Sequence, residues 1–344
     1  MAGKSFIKEG QAGIGTQTTA ERTAGVSTAT GTVTFDVDDG VAYVYTGDTD
    51  GWEVIASQTV TSGLSGASGG TLVAPNPGGY ELRHFPSGPG SFTYTSANPG
   101  STIHVFVVGG GGAGHFGGGG GGGIAYAYNL PVPADPDTFP ISIGGGGTSA
   151  GNGGDTTFAG HPVGTITAKG GGGSTTPQPG NSNTRAGAPG GSGGGGGHDD
   201  QTTFGTTVQP SQNPSYTWPE GALYQYGQPG GPGGTGGSPA CCEGGGGGGA
   251  AGPSPLTAPL PSDFRETGTY NGPQASAGVS GDGNGGGAGG NGITLGWIPT
   301  DLGDSGYFGG GGGGAYNGPG GGQGGGGDPT PQSPNSPAGQ AGQA

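Results

Sequence analysis

Two serines sit where a hydrolase would place its nucleophile. Ser68 lies within Gly66-Ala-Ser-Gly-Gly70 and Ser192 within Gly190-Gly-Ser-Gly-Gly194. In that spacing the glycines permit a sharp strand-to-helix turn, and a histidine elsewhere takes the hydroxyl proton. Neither serine is bracketed by a strand and helix pattern. A chain with 98 glycines produces the spacing by chance. GxGxxG matches are equally common here and mean little outside a βαβ unit. No Walker lysine follows a proper glycine loop. The chain therefore reads as not an enzyme, with no catalytic residue assigned.

The metal-binding residue types are also present without metal-binding order. His84, His104, His115, His161 and His198 show no ligand spacing. His198-Asp199-Asp200 is the tightest polar cluster, and carboxylates suit hard cations. A solvated loop is the plainer reading. Asp36-Val-Asp38-Asp39-Gly40 resembles part of a calcium loop but lacks the distal Glu, so Asp39-Gly40 reads as a hairpin turn. Cys241 and Cys242 are adjacent, where a mutual disulfide is strained. They read as small apolar packing residues, with a subunit bridge or metal site as the alternative. No metal and no cofactor is expected.

Charge narrows the partners. Seven basic and 22 acidic residues give a net charge of -15. Lys4, Lys8, Arg22, Arg83, Lys169, Arg185 and Arg265 are scattered, so no basic patch invites nucleic acid. Anionic membranes are disfavoured for the same reason. The longest apolar run is Val105–Val108 with Ile103 nearby, far short of a span, and residues 1–25 lack the apolar stretch of a signal peptide. No membrane insertion is expected.

The aromatic residues of the second half carry the contact chemistry. Tyr216, Trp218, Tyr224, Tyr226, Phe264 and Tyr270 fall in apparent loops between glycine blocks. Tyrosine and tryptophan offer large amphipathic area at low entropic cost. They are candidate contacts for a host receptor or glycan. The alternative is that they cap the ends of glycine segments and shield them from water.

These residues need a scaffold, and composition says what kind. Only 27% of the 344 residues are hydrophobic, against 98 glycines and 30 prolines. Ordering a residue costs roughly 1–2 kcal/mol of backbone entropy, with glycine at the top of the range. Side-chain burial cannot offset this over Gly117–Gly123, Gly193–Gly197, Gly244–Gly249, Gly309–Gly314 or Gly324–Gly327. Backbone pairing must. Consecutive glycines exclude the every-third-residue pattern of collagen but suit polyproline-II-like helices, rising about 3.1 Å per residue. Lacking Cβ atoms, such helices can lie side by side and exchange N–H···O=C bonds.

The expected fold is mainly β plus polyglycine-II helices, with essentially no α-helix. Residues 1–30 form an extended arm, or hold a short helix near 18–22, and such an arm orders against a partner. Residues 31–57 form a small β-meander, 58–78 a linker, 79–327 a glycine-rich sandwich capped by short strands, and 328–344 a polar tail. Strands Thr102–Val108, Phe139–Ile143 and Val163–Lys169 each run directly into a glycine block.

The order from Ser91 to Ser174 resembles the glycine-rich domains of tailed-bacteriophage fibre and adhesin proteins. SFTYT leads to TIHVFVVGGGGAG, then GGGGGGGIAYAYNLPVPADPDTFPISIGGGG, then GNGGDTTFAGHPVGTITAKGGGGS. GTVTFDVDDGVAYVYTGDTDGWEVI is similar to a small module common in phage appendage proteins. The resemblance implies a polyglycine-II sandwich in a virion structural protein, a short tail fibre or adhesin exposed on the particle. Other virion proteins would hold its N-terminal arm, with Lys4, Phe6, Ile7, Lys8 and Arg22 as attachment candidates. A homotrimer is expected. A capsid decoration or head-fibre protein is the alternative, and a cellular glycine-rich structural protein a third reading.

Overall fold

The computed structural model describes residues 7–8, 11–12, 15–18, 20, 33–36, 41–45, 51–57, 64–73, 81–98, 100–133, 135–174, 186–197, 203–209, 216–218, 221–234, 244–250, 286–295, 298–314 and 321–322. The elements named among these residues are all β-strands, so the described part of the chain is mainly β, with no α-helical element. It divides into two compact units, residues 1–65 with 97–101, and residues 66–96 with 102–344.

The first unit holds β1 (Ile7–Lys8), β2 (Gln11–Ala12), β3 (Gly15–Gln17), β4 (Val33–Asp36), β5 (Val41–Tyr45), β6 (Trp52–Ser57) and β7 (Leu64–Ser65). Strands β4, β5 and β6 form the antiparallel meander that the alternation of Val, Phe and Tyr requires. Tyr45 packs edge-on against Trp52, with ring centroids 5.3 Å apart. Gly51 turns the chain at φ +67, where a Cβ would strike the Tyr45 ring. Residues 15–17 belong to the expected extended arm. Instead β3 pairs in parallel with β4 and makes the sheet four-stranded. The short helix read near 18–22 falls largely outside the described residues.

The second unit contains β8 (Thr71–Val73), β9 (Leu82–His84), β10 (Gly90–Tyr94), β12 (Thr102–Val108), β13 (Ile124–Pro131), β14 (Asp137–Ser142), β15 (Thr156–Phe158), β16 (Ile166–Ala168), β17 (Tyr216–Trp218), β18 (Gly221–Tyr226), β19 (Ile293–Thr294) and β20 (Tyr307–Phe308), while β11 is Ser96–Ala97. Segment 58–78, read as a linker, therefore carries strand structure in β7 and β8. One sheet runs β10-β14-β15-β16, the other β12-β13-β18-β17. Phe139 anchors the first sheet. It is fully enclosed, with ring centroids 5.1 Å from Phe158, 6.1 Å from Tyr94 and 6.3 Å from Phe92. The second sheet buries Ile124, Tyr126, Tyr224 and Tyr226 against Ile293, Leu295 and Ile298.

The strands then lose their side chains and continue. Val108 pairs with Ile124, and in the next step the Gly109 N–H donates to the Gly123 carbonyl at 2.9 Å. Beyond that point each glycine segment has neighbours on several sides rather than two edges. The pattern repeats every third residue. Gly118 and Gly121 donate to Gly245 and Gly248, both at 2.9 Å, while Gly120 and Gly123 donate to Gly172 and Lys169, both at 2.8 Å. Carbonyls follow the same period. Those of Gly118 and Gly121 accept from Gly195 and Ser192, and those of Gly120 and Gly123 from Gly112 and Gly109.

These bonds close into rows. Segments 227–231, 190–196, 169–174 and 151–154 lie side by side. So do 244–250, 117–123, 109–113 and 143–147, and 286–292 lies beside 309–314. Each row bonds to the next, for example through Gly195 N–H to Gly118 and Gly312 N–H to Gly119, both at 2.8 Å. Glycine is required by contact. A Cβ on Gly118 would come within 3.0 Å of the backbone of Gly312 and Gly247, and one on Gly120 equally close to Ser192 and Gly193. At the end of its row, Gly145 is exposed and an added Cβ would meet nothing within 4 Å.

Candidate functional site

Where the rows run out of neighbours, side chains take over the backbone bonds. The Asn152 amide oxygen accepts the Gly173 N–H at 2.9 Å, and its NH2 donates to the Pro189 carbonyl at 3.1 Å. Asp155 accepts the Gly170 N–H at 2.9 Å and pairs with the Lys169 ammonium at 2.7 Å. The Thr156 hydroxyl accepts the Gly144 N–H at 2.9 Å. These three residues come from the Gly-Asn-Gly-Gly-Asp-Thr-Thr-Phe stretch, whose order marked the resemblance but whose role was not legible there.

Gln209 is the most enclosed of these caps, at 2% exposure. Its Oε1 accepts the Lys169 N–H at 2.8 Å, and its Nε2 donates to the carbonyls of Ile124 at 3.3 Å and Thr167 at 3.2 Å. One amide thus ties β13 to the end of β16 where both enter glycine. Unpaired buried backbone groups cost about 1–3 kcal/mol each, so such caps decide whether an array edge holds.

Electrostatics follow the same positions. Burial works to raise the Asp155 carboxyl, but the Lys169 hydrogen bond, the Gly170 N–H and the Lys169 charge outweigh it and hold the group below its ordinary value. Burial lowers His104 to about 4. Its ring stacks on Tyr128 at 5.0 Å, and its Nδ1 accepts the Asn129 N–H at 3.2 Å. Asn129 occupies a left-handed φ of 48 at the irregularity in the β12–β13 register, so His104 satisfies a bulge. Burial also lowers His161, against the opposing pull of its Pro131 hydrogen bond and Asp137. That ring donates from Nε2 to Pro131 at 2.7 Å and accepts the Val163 N–H on Nδ1 at 3.2 Å. Both imidazoles are committed to backbone groups.

The hydroxyls of the two serines singled out for nucleophile spacing bond to neighbouring groups. The Ser68 hydroxyl bonds that of Thr93 at 2.5 Å. Ser192 is wholly buried among the glycine rows, its oxygen 3.4 Å from the Gln228 N–H. Among the described residues no group of three or more His, Cys, Asp or Glu is placed to hold a metal ion.

The contact candidates separate. Tyr224 and Tyr226 are 7% and 5% exposed, on β18 in the core, not in a loop. Both pack in the cluster with Ile124, Tyr126, Ile293, Leu295 and Ile298. Burial raises the Tyr224 phenol further above its ordinary value. Tyr216 and Trp218 lie on β17, paired with Leu223 and Gly221 of β18. Phe264 and Tyr270 lie outside the described residues, as do Lys4, Phe6 and Arg22. Ile7 and Lys8 lie on β1, paired with Ala12 and Gln11. The signal that would have placed Tyr224 and Tyr226 was available. Ala222-Leu-Tyr-Gln-Tyr226 before Gly227 has the same form as Thr102–Val108 before Gly109.

One open groove of about 380 Å³ lies beside β10 and β14. Ser68, Thr93, Tyr94, Thr95, Asp137 and Thr138 line it. The Tyr94 hydroxyl beneath it is tied to the Pro133 carbonyl at 2.7 Å, and Asp137 accepts the Thr138 N–H at 2.7 Å. No protein family, no curated protein and no solved structure matches the chain in comparison.

Proposed function

We propose that this chain is a phage virion structural protein of the short tail fibre or adhesin type, in which polyglycine-II helices form a rigid scaffold that displays loops to a host surface. The observation that carries the reading is the three-residue period of bonding among the glycine rows. A threefold extended helix directs successive N–H and C=O groups about 120° apart, so it can bond to surrounding helices where a β-strand bonds to two. Such a body resists deformation without a large side-chain core.

In this reading the N-terminal arm joins other virion proteins and the molecule works as a homotrimer. Tyr216, Trp218, Phe264 and Tyr270 remain the contact candidates. Tyr224 and Tyr226 serve as caps. The experiment is to produce tailed particles with a tagged copy of the chain, purify them, and locate the tag by electron microscopy. Label at the tail tip is expected, and deletion of residues 1–30 should abolish incorporation. Label spread over the capsid would favour the decoration reading. Particles that never carry the chain would overturn both.

A further inference from the structure

The groove beside β10 and β14 has the chemistry of a sugar subsite. At about 380 Å³ it falls near the low end of the roughly 300–1,000 Å³ typical of small-ligand clefts. Its walls carry the hydroxyls of Ser68 and Thr93, which bond each other and keep further donor and acceptor capacity between them, those of Thr95 and Thr138, and the Asp137 carboxylate, whose second oxygen can accept besides the Thr138 N–H. Sugar hydroxyls need that mixture.

The walls are also fixed in place. Ser68 and Thr93 exchange two backbone hydrogen bonds, at 2.8 and 3.1 Å, besides the bond between their hydroxyls. Tyr94 below is 3% exposed and anchored through its hydroxyl to Pro133. A rigid wall loses little entropy when a ligand arrives. The Asp137 carboxylate in the lining disfavours an anionic ligand. Burial first, then the charges of Asp137 and Asp135, push the Tyr94 phenol above its ordinary value, and the whole chain carries a net charge of -15. Asp137 is the sole carboxylate in the lining, so a divalent cation lacks ligands there.

We infer that this groove binds a neutral saccharide, one or two pyranose rings of a surface glycan. Its biological meaning rests on the display reading above, but the binding does not. Thr95 and Thr138 are exposed, so either can be replaced by a large residue that fills the groove while sparing the core.

The test is saturation-transfer NMR on the full chain with lactose, maltose, N-acetyllactosamine and mannobiose at millimolar concentration, and sialyllactose as the anionic counterpart of lactose. At least one neutral disaccharide should receive saturation, sialyllactose much less. Thr95→Trp and, separately, Thr138→Trp should weaken binding at least tenfold with an unchanged melting temperature. Asp137→Asn should weaken it by a smaller factor. Absence of transfer to every neutral probe would overturn the inference. So would equal binding of sialyllactose, or full binding by both tryptophan variants. A chain that binds saccharide yet never enters virions would sink the virion reading alone. A chain that enters virions but binds no saccharide would sink only the groove.

Discussion

Phe139 and Gly118 are both enclosed, for opposite reasons. Phe139 fills space: its ring meets Phe92, Tyr94, Phe158 and His161 around the first sheet of the second unit. Gly118 leaves space: the backbones of segments 244–250 and 309–314 come so close that a single added carbon collides with them. A side-chain core loses stability when atoms are removed and tolerates some rearrangement. The glycine array loses stability when atoms are added, and its walls are backbone, which cannot rotate away. One chain thus holds two kinds of interior, joined where strands β12, β13, β16 and β18 run into glycine.

Removing atoms from the one interior and adding them to the other should both destabilise the chain. Phe139→Ala removes the central ring and should cost about 3–5 kcal/mol in chemical unfolding. Gly118→Ala adds one methyl group and should cost about 3 kcal/mol, as much as losing many core atoms. A cost under about 1 kcal/mol would mean the rows separate easily. At the junction, Gln209→Leu keeps the volume but strands the Lys169 N–H and two carbonyls. A loss of about 2 kcal/mol is expected from the same unfolding assay.

Acid should act on the side-chain part first. The unfolded chain protonates His104 at its ordinary 6.5, whereas the folded chain resists until about 4. The unfolded state therefore binds more protons in that window, and stability falls as pH drops through it. His161 shifts in the same direction. Asp155 contributes only later. Its carboxyl is lowered in the folded chain, so its stabilisation is present above the ordinary 3.8 and is lost as pH falls through the folded value. His104→Asn, which keeps an acceptor for Asn129, should shrink the loss between pH 6.5 and 4 in thermal melts. The smallest effect belongs to the edge of the array. Gly145→Ala meets open space and should change stability by less than about 0.5 kcal/mol.

Strand positions were legible because they depend on local alternation. Thr102–Val108, Ile124–Tyr128 and Thr156–Phe158 announce themselves by side-chain period and by the glycines that lie close to their ends. The caps were not legible, since each joins residues far apart in sequence: Gln209 reaches back to Ile124, and Asn152 forward to Pro189. Nor did residues 15–17 carry a signal for parallel pairing with β4, because a short polar strand takes its place from its partner. Tyr224 and Tyr226 were misplaced by the loops around them, although their own alternation pointed to a strand. The Ser68–Thr93–Asp137 groove had no local mark at all, being assembled from three segments far apart in sequence.

Amide hydrogen exchange resolved at single glycines distinguishes rows held by backbone bonding from loosely held ones. If backbone bonding orders the rows, the amides of Gly118, Gly120, Gly121 and Gly123 should exchange only with global unfolding, slowed about a thousandfold or more. The amide of Gly145, exposed and without a described acceptor, should exchange near the rate of a free peptide. If Gly118, Gly120, Gly121 and Gly123 exchange as fast as Gly145 while Phe139 and its strand stay protected, the glycine rows are not an ordered interior and the account fails.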